Sequence, residues 1–200
     1  MKKIMIMLSL ALVSWGASAQ HDHSKMGHAT EGQTNMDSKM ANKSMVQPSV
    51  KVERSKSATA IIDNYLALKD ALVADNSNKA SSSGKTLFDA FAKFDISAHP
   101  KSQQKELAEI IEDASEHAEH IFENSGNIDH QREHFEILST DINDLVIIIG
   151  SDRTLYQTFC PMYNKNEGGV WLSASREIKN PFYGSKMMKC GSVQQEITVE

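Results

Sequence analysis

Cys160-Pro161-Met162 and Met187-Met188-Lys189-Cys190-Gly191 hold both cysteines of this 200-residue chain, each within three residues of a methionine. Thiolate and thioether sulfurs are soft donors, and soft donors select Cu(I) over hard ions such as Mg²⁺ or Ca²⁺. The N-terminal side repeats the theme, with His21-Asp22-His23-Ser24-Lys25-Met26-Gly27-His28 followed by Met36, Met40 and Met45. These residues point to monovalent copper or silver, Cu(I) or Ag(I). The candidate main site is Cys160, Met162, Met187, Met188 and Cys190, and His21, His23, Met26 and His28 form a candidate tail site. A third group is His117, His120, His130 and His134. Spacings of three and four put each pair on one face of a helix.

The elements that must position these residues follow from periodicity. Ile61, Ile62, Tyr65, Leu68, Leu72 and Val73 form one helical stripe, with Ser57 as its expected cap. Asp75 to Asn78 reads as a turn. A second helix carries Ala80, Leu87, Ala90, Phe91 and Phe94, and Gly84 in its weak Ser81-Ser82-Ser83-Gly84 start marks an expected close contact. Pro100 suits the first turn of a third helix bearing Leu107, Ile110, Ile111, Ala114, Ala118, Ile121 and Phe122, which Ser125-Gly126-Asn127 stops. A fourth carries Phe135, Leu138, Ile142, Leu145, Val146 and Ile149 and ends at Gly150. Short connections make antiparallel neighbours, so residues 57–150 predict an antiparallel four-helix bundle.

His117 and His134 fall about level across the third connection, each roughly 70° from its helix's apolar stripe in the same rotational sense. Two arrangements satisfy this. Both rings face one another and build an imidazole site, or both point outward as surface histidines beside Glu116, Glu119 and Glu133. Neither helix carries the Glu-x-x-His motif of a di-iron bundle.

Residues 151–200 lose helical periodicity and gain aromatics, Gly and Pro. Short strands are expected at residues 156–159 and 170–173, with turn signals at Asn180-Pro181 and Tyr183-Gly184 and a final strand over residues 192–199. The reading is an irregular, partly β C-terminal cap that brings Cys160 near Cys190. A disulfide between them is the structural alternative, worth roughly 3–4 kcal/mol in the chain-entropy model. A third possibility is redox gating, with a disulfide when metal-free and a dithiolate when metallated.

The N-terminal end reads as an export signal. Lys2 and Lys3 precede the apolar run from Ile4 to Val13, and Ala17-Ser18-Ala19 is a small-residue cleavage site. Residues 1–19 are therefore expected to be a signal peptide, and the compartment an oxidising one, most naturally a bacterial periplasm. Residues 20–56 are polar, lack aromatics and read as a disordered His/Met-rich tail, serving either metal capture or simple linkage. The formal net charge is −5, and no basic cluster occurs, which argues against nucleic acid and against anionic membrane as partners. No later segment is apolar enough to insert in a bilayer.

Several motifs together resemble a known family. They are Cys160-Pro161-Met162, Gly169-Val170-Trp171-Leu172-Ser173, Ile178 through Gly184, and Met187-Met188-Lys189-Cys190-Gly191. Upstream, Tyr65 through Val73 and Arg132 through Ser139 join them. Over about residues 60–198 the chain resembles an uncharacterised bacterial periplasmic domain that occurs alone and fused to heavy-metal efflux adaptor (membrane-fusion) proteins. The resemblance implies an association with copper or silver export. Cys160-Pro161-Met162 also resembles the start of a small heavy-metal-binding motif of efflux proteins. That motif continues His-Pro where this chain has Tyr163-Asn164, removing one expected ligand.

The expectation is thus a periplasmic soft-metal-binding protein of heavy-metal resistance that sequesters Cu(I) or Ag(I) or hands it to an efflux adaptor. It has no organic cofactor and is not an enzyme, since no Ser-His-Asp order, phosphate-cradling Gly loop or Cys-x-x-Cys-His haem motif is present. The alternative is a disulfide-stapled interaction module that docks on an efflux or sensor protein. An exposed apolar patch around Trp171, Phe182 and Tyr183 would favour that alternative.

Overall fold

The structure, a computed structural model, describes residues 48–200. The expected signal peptide, most of the tail and the tail ligands His21, His23, Met26 and His28 lie outside the described residues. The described chain is mainly helical with a small mixed four-stranded sheet.

Four long helices come first: α1 (Thr59–Val73), α2 (Ser77–Phe91), α3 (Lys101–Glu123) and α4 (Ile128–Ile149). Each packs against the next, and α1 and α2 also touch α4. The stripe residues form the core, with Leu68, Leu72, Leu87, Leu107, Ile121, Phe135 and Leu138 fully buried. Burying each such side chain contributes about 1.5–3 kcal/mol. Tyr65 stands at the centre. Its ring stacks on Phe135 at 5.3 Å, and its hydroxyl donates to Ser139 Oγ and accepts the Leu172 amide. That one side chain ties α1 to α4 and to the sheet.

Two cap expectations change. Ser57 does not cap α1, whose N-cap is Ala58 with no side-chain bond, because Ser57 pairs with Ser55 instead. The turn after α1 is shorter than residues 75–78: Asn76 caps α2 by accepting the Lys79 amide, and the helix runs through the serine stretch. Gly84 does mark a close approach. A Cβ there would lie 3.0 Å from Ile121 Cγ2 and 3.2 Å from the Ala118 carbonyl on α3. Gly150 ends α4 at φ +83°.

The sheet has the order β1-β4-β2-β3. Strand β1 (Ser49–Val52) pairs parallel with β4 (Ser192–Val199). Strand β2 (Leu155–Cys160) pairs antiparallel with β4 and with β3 (Gly169–Ser173). The disordered tail expected to reach residue 56 is therefore corrected at its end. Val50 and Val52 alternate with polar neighbours, which suits a half-buried strand, and Val52 is buried. The cap is also more regular than expected, because residues from before the helices complete its sheet.

Side-chain alternation gives the sheet two faces. Leu155, Leu172 and Ile197 share one face, while Thr158 and Cys160 share the other with their cross-strand partners Trp171 and Gly169. All are buried. Phe182 meets Trp171 edge-on at 5.8 Å, and a Cβ on Gly191 would lie 2.8 Å from the Trp171 ring, so the segment before β4 covers the Cys160 face.

Candidate functional site

Cys160 and Cys190 meet. Their Sγ atoms lie 2.8 Å apart, and both are free thiols, Cys160 fully buried and Cys190 partly exposed. The two approach from different directions. Cys160 ends β2 opposite Gly169, where a Cβ would come within 2.9 Å of both Tyr163 and Phe182. Glycine there lets those stacked rings, 4.1 Å apart, roof the strand end.

Cys190 is delivered by the loop after Ile178, and Asn180 is the residue that shapes that loop. Asn180 is fully buried. Its Nδ2 donates to the Cys190 carbonyl, its Oδ1 accepts the Phe182 and Tyr183 amides, and its own amide donates to the Met188 carbonyl. The Cys190 amide donates to the Met187 carbonyl, closing a tight turn. Arg132, buried on α4, anchors the loop by donating to the Pro181 carbonyl at 2.8 Å, and it also donates to the Leu72 carbonyl and to Asp75. Asn180 reads from sequence as a turn signal, and Arg132 carries no sequence signal of a role at the site. A polar residue within an aromatic run was the available signal for Asn180.

The methionines are placed unequally. Met162 is exposed, its carbonyl accepts the Tyr183 hydroxyl, and its amide faces the Cys190 sulfur. Met187 and Met188 are half-buried and serve the loop through their carbonyls. Directly after Met162 the chain passes through three successive left-handed residues, Asn164, Lys165 and Asn166, where φ is +45°, +56° and +73°. Asn accepts this conformation and Lys does so at a cost. Burial first, and then the Cys160 thiol, push the Cys190 thiol above its ordinary range, while the Met162 amide opposes them. A cation entering here must displace protons from the thiols. The same two sulfurs are close enough to be oxidised to a disulfide.

The histidines form a second group on α3 and α4. Of the two arrangements open from sequence, the rings face one another: His117 Nδ1 and His134 Nδ1 are 3.0 Å apart. His120 stacks on His134 at 4.3 Å and His130 meets it edge-on at 4.6 Å. His120, His130 and His134 each offer a nitrogen within 4.8 Å of the others. The sequence reading singled out His117 and His134, and the cluster takes in His120 and His130 as well. All four are half-buried.

The connection that sets this geometry is braced from α2. The Ser77 hydroxyl accepts the Gly126 amide and donates to Gln131, whose Nε2 donates to the Ile121 and Ser77 carbonyls. Gly126 makes the turn at φ +90°. Burial, and then the neighbouring His120, His130 and His117, push His134 down to about 4, so it is a neutral imidazole at pH 7. Burial also lowers His117, against the pull of Glu116.

Among the described residues no helix is long and apolar enough to cross a membrane. Residues 61–154 match a family described as "Protein of unknown function (DUF3347)". That span includes the four histidines and ends before both cysteines. No curated protein and no solved structure matches the chain.

Proposed function

We propose that this is an exported soft-metal-binding protein, in which Cys160 and Cys190 take up Cu(I) or Ag(I) and hold it or pass it to an efflux system. The observation that carries the reading is the meeting of the two thiols, delivered by separate elements onto one point beside Met162. Exposed Met162 supplies a thioether at the mouth, and Met187 or Met188 completes the soft set. The four helices act as an antiparallel bundle that carries the sheet and the Asn180 loop. The leader at residues 1–19 directs the chain to the periplasm, and the tail ligands His21, His23, Met26 and His28 capture ions for the cap. The partner is a heavy-metal efflux adaptor, and no reaction is assigned to the protein.

The alternative, an interaction module, calls for an apolar patch at Trp171, Phe182 and Tyr183, of which only Tyr183 is partly exposed. Trp171 and Phe182 are 1% and 3% exposed, which gives that alternative little support from these two rings. Single replacements test the reading. Cys160→Ser and Cys190→Ser are each expected to lower Cu(I) affinity at least a hundredfold against a competing chelator under reducing conditions. Deletion of residues 20–45 is expected to lower the number of ions bound and leave that affinity unchanged. Full affinity in both cysteine variants would overturn the reading.

A further inference from the structure

The histidine cluster carries an inference independent of the cysteines. We propose that His120, His130 and His134 form a three-imidazole site for a borderline divalent cation, tightest for Cu(II), with His117 as a positioning residue that holds His134 in the ligating tautomer. It is chemically distinct from a thiolate site for a monovalent ion, because neutral imidazole suits Cu(II), Zn(II) and Ni(II), and Cu(II) stands highest in the general affinity order.

The hydrogen bonds set the roles. His130 donates from Nδ1 to Glu133 Oε2 at 3.2 Å, which leaves its Nε2 free. His134 has its Nδ1 against His117 Nδ1 at 3.0 Å, which leaves its Nε2 free in turn. Ligating histidines commonly donate their second ring nitrogen to a partner that fixes tautomer and orientation. Here Glu133 serves His130 and His117 serves His134. Coordination through Nε2 of His134 places its proton on Nδ1, donated to His117, which keeps its own proton on Nε2.

His120 is more exposed than His130, at 44% against 34% of the side chain, and Glu116 lies 3.8 Å from its Nε2. One ring nitrogen of each of the three histidines lies within 4.8 Å of the others. A tetrahedral site with bonds of 2.0–2.1 Å needs about 3.3 Å between ligand nitrogens, and the tetragonal geometry Cu(II) prefers needs about 2.8 Å between adjacent ones. Closure therefore asks for the nitrogens to approach by about 1–2 Å, within the reach of a half-exposed imidazole turning about its side-chain bonds. Glu116 beside His120, Glu133 beside His130, and Glu119 lining the same groove as Glu116 and His120 favour a cation. With three protein ligands the fourth position remains open to water or to an exchanging ligand.

The test uses the full chain with Cys160→Ser and Cys190→Ser, and with alanine at His21, His23 and His28, so that neither the thiols nor the tail histidines contribute. Circular dichroism establishes that this background is folded. Titration with a Cu(II) salt is expected to give one saturable site, and electron paramagnetic resonance to show coupling to three nitrogens. His120→Ala and His130→Ala should each weaken binding at least a hundredfold and remove one nitrogen from the spectrum. His117→Ala should weaken it ten- to a hundredfold with three nitrogens retained. His117→Gln, which keeps an acceptor for the His134 proton, should recover part of that loss. Absence of saturable binding to the folded background would overturn the proposal. Loss of a coupled nitrogen in His117→Ala would overturn its three-plus-one arrangement. Either failure leaves the Cu(I) site untouched, because the thiols are absent from the experiment.

Discussion

Lys165 is the clearest case of a single residue held against its preference. It lies at φ +56° between two asparagines in the turn that follows Met162. A side chain with a Cβ pays about 1 kcal/mol or more in that region and glycine does not. Lys165→Gly is therefore expected to raise stability by about 1 kcal/mol in denaturant unfolding, with Cu(I) affinity unchanged. Asp141 is a second such residue. Its Oδ2 is buried without a hydrogen-bond partner, and burial, with Asp113 and Asp144 nearby, raises it to about 6 from an ordinary 3.8. A carboxyl raised on folding contributes stability below pH 3.8 that is lost as pH rises through 6. Asp141→Asn should thus melt several degrees higher than the parent at pH 7, and the gap should close between pH 6 and pH 4. A constant gap across that range would show that the carboxylate is not the cause. Little of this was legible in the sequence. Left-handed backbone at a lysine and an unpaired carboxylate have no local signature, since both depend on what the rest of the fold packs against them.

Element by element, the sequence carried the helices well and the connections less well. Stripes at 3.6-residue spacing fixed all four helices, because burial of one face is what stabilises them. Strands β2, β3 and β4 were also anticipated to within a residue or two. Strand β1 was missed because Val50 and Val52 sit in a polar stretch, and their partner is β4, about 145 residues away in the chain. The histidine faces were undecidable for a related reason: equal offsets from the stripe fit rings turned inward or outward, and only the packing of α3 on α4 chooses. Arg132 is the element-level link between helices and cap. Removing a buried, paired charge that also serves two carbonyls costs about 3 kcal/mol, so Arg132→Met should destabilise by that order. It should also weaken Cu(I) binding, because the Asn180 loop loses its anchor at Pro181. Its partner Asp75 is held at about 2, first by hydrogen bonds from Ser185 and then by the guanidinium. That depressed carboxyl contributes stability above pH 3.8 that is lost as pH falls toward 2. Wild type and Asp75→Asn should accordingly converge in melting temperature near pH 2.

Across the molecule, two kinds of candidate ligand stand on two kinds of support. The imidazoles lie on a braced pair of helices inside the span matched by the family, whereas the thiols lie where a strand end meets a loop, outside that span. Sequence singled out the soft donors as candidates because cysteine and methionine cluster at two points of the chain's end. It also anticipated that the cap brings Cys160 near Cys190, but not how, since a sheet register and Asn180 join them, not proximity along the chain. The two sites have different predicted preferences, monovalent and soft at the cap, divalent and borderline on the helices. On the two proposals together, the chain would hold copper in either oxidation state. The central claim remains the thiol site, and an anaerobic Cu(I) titration against a competing chelator, on protein lacking residues 20–45, before and after thiol reduction, tests it most directly. The account predicts tight one-to-one binding after reduction, abolished when the thiols are oxidised to a disulfide. Failure to compete with the chelator in the reduced state would contradict it.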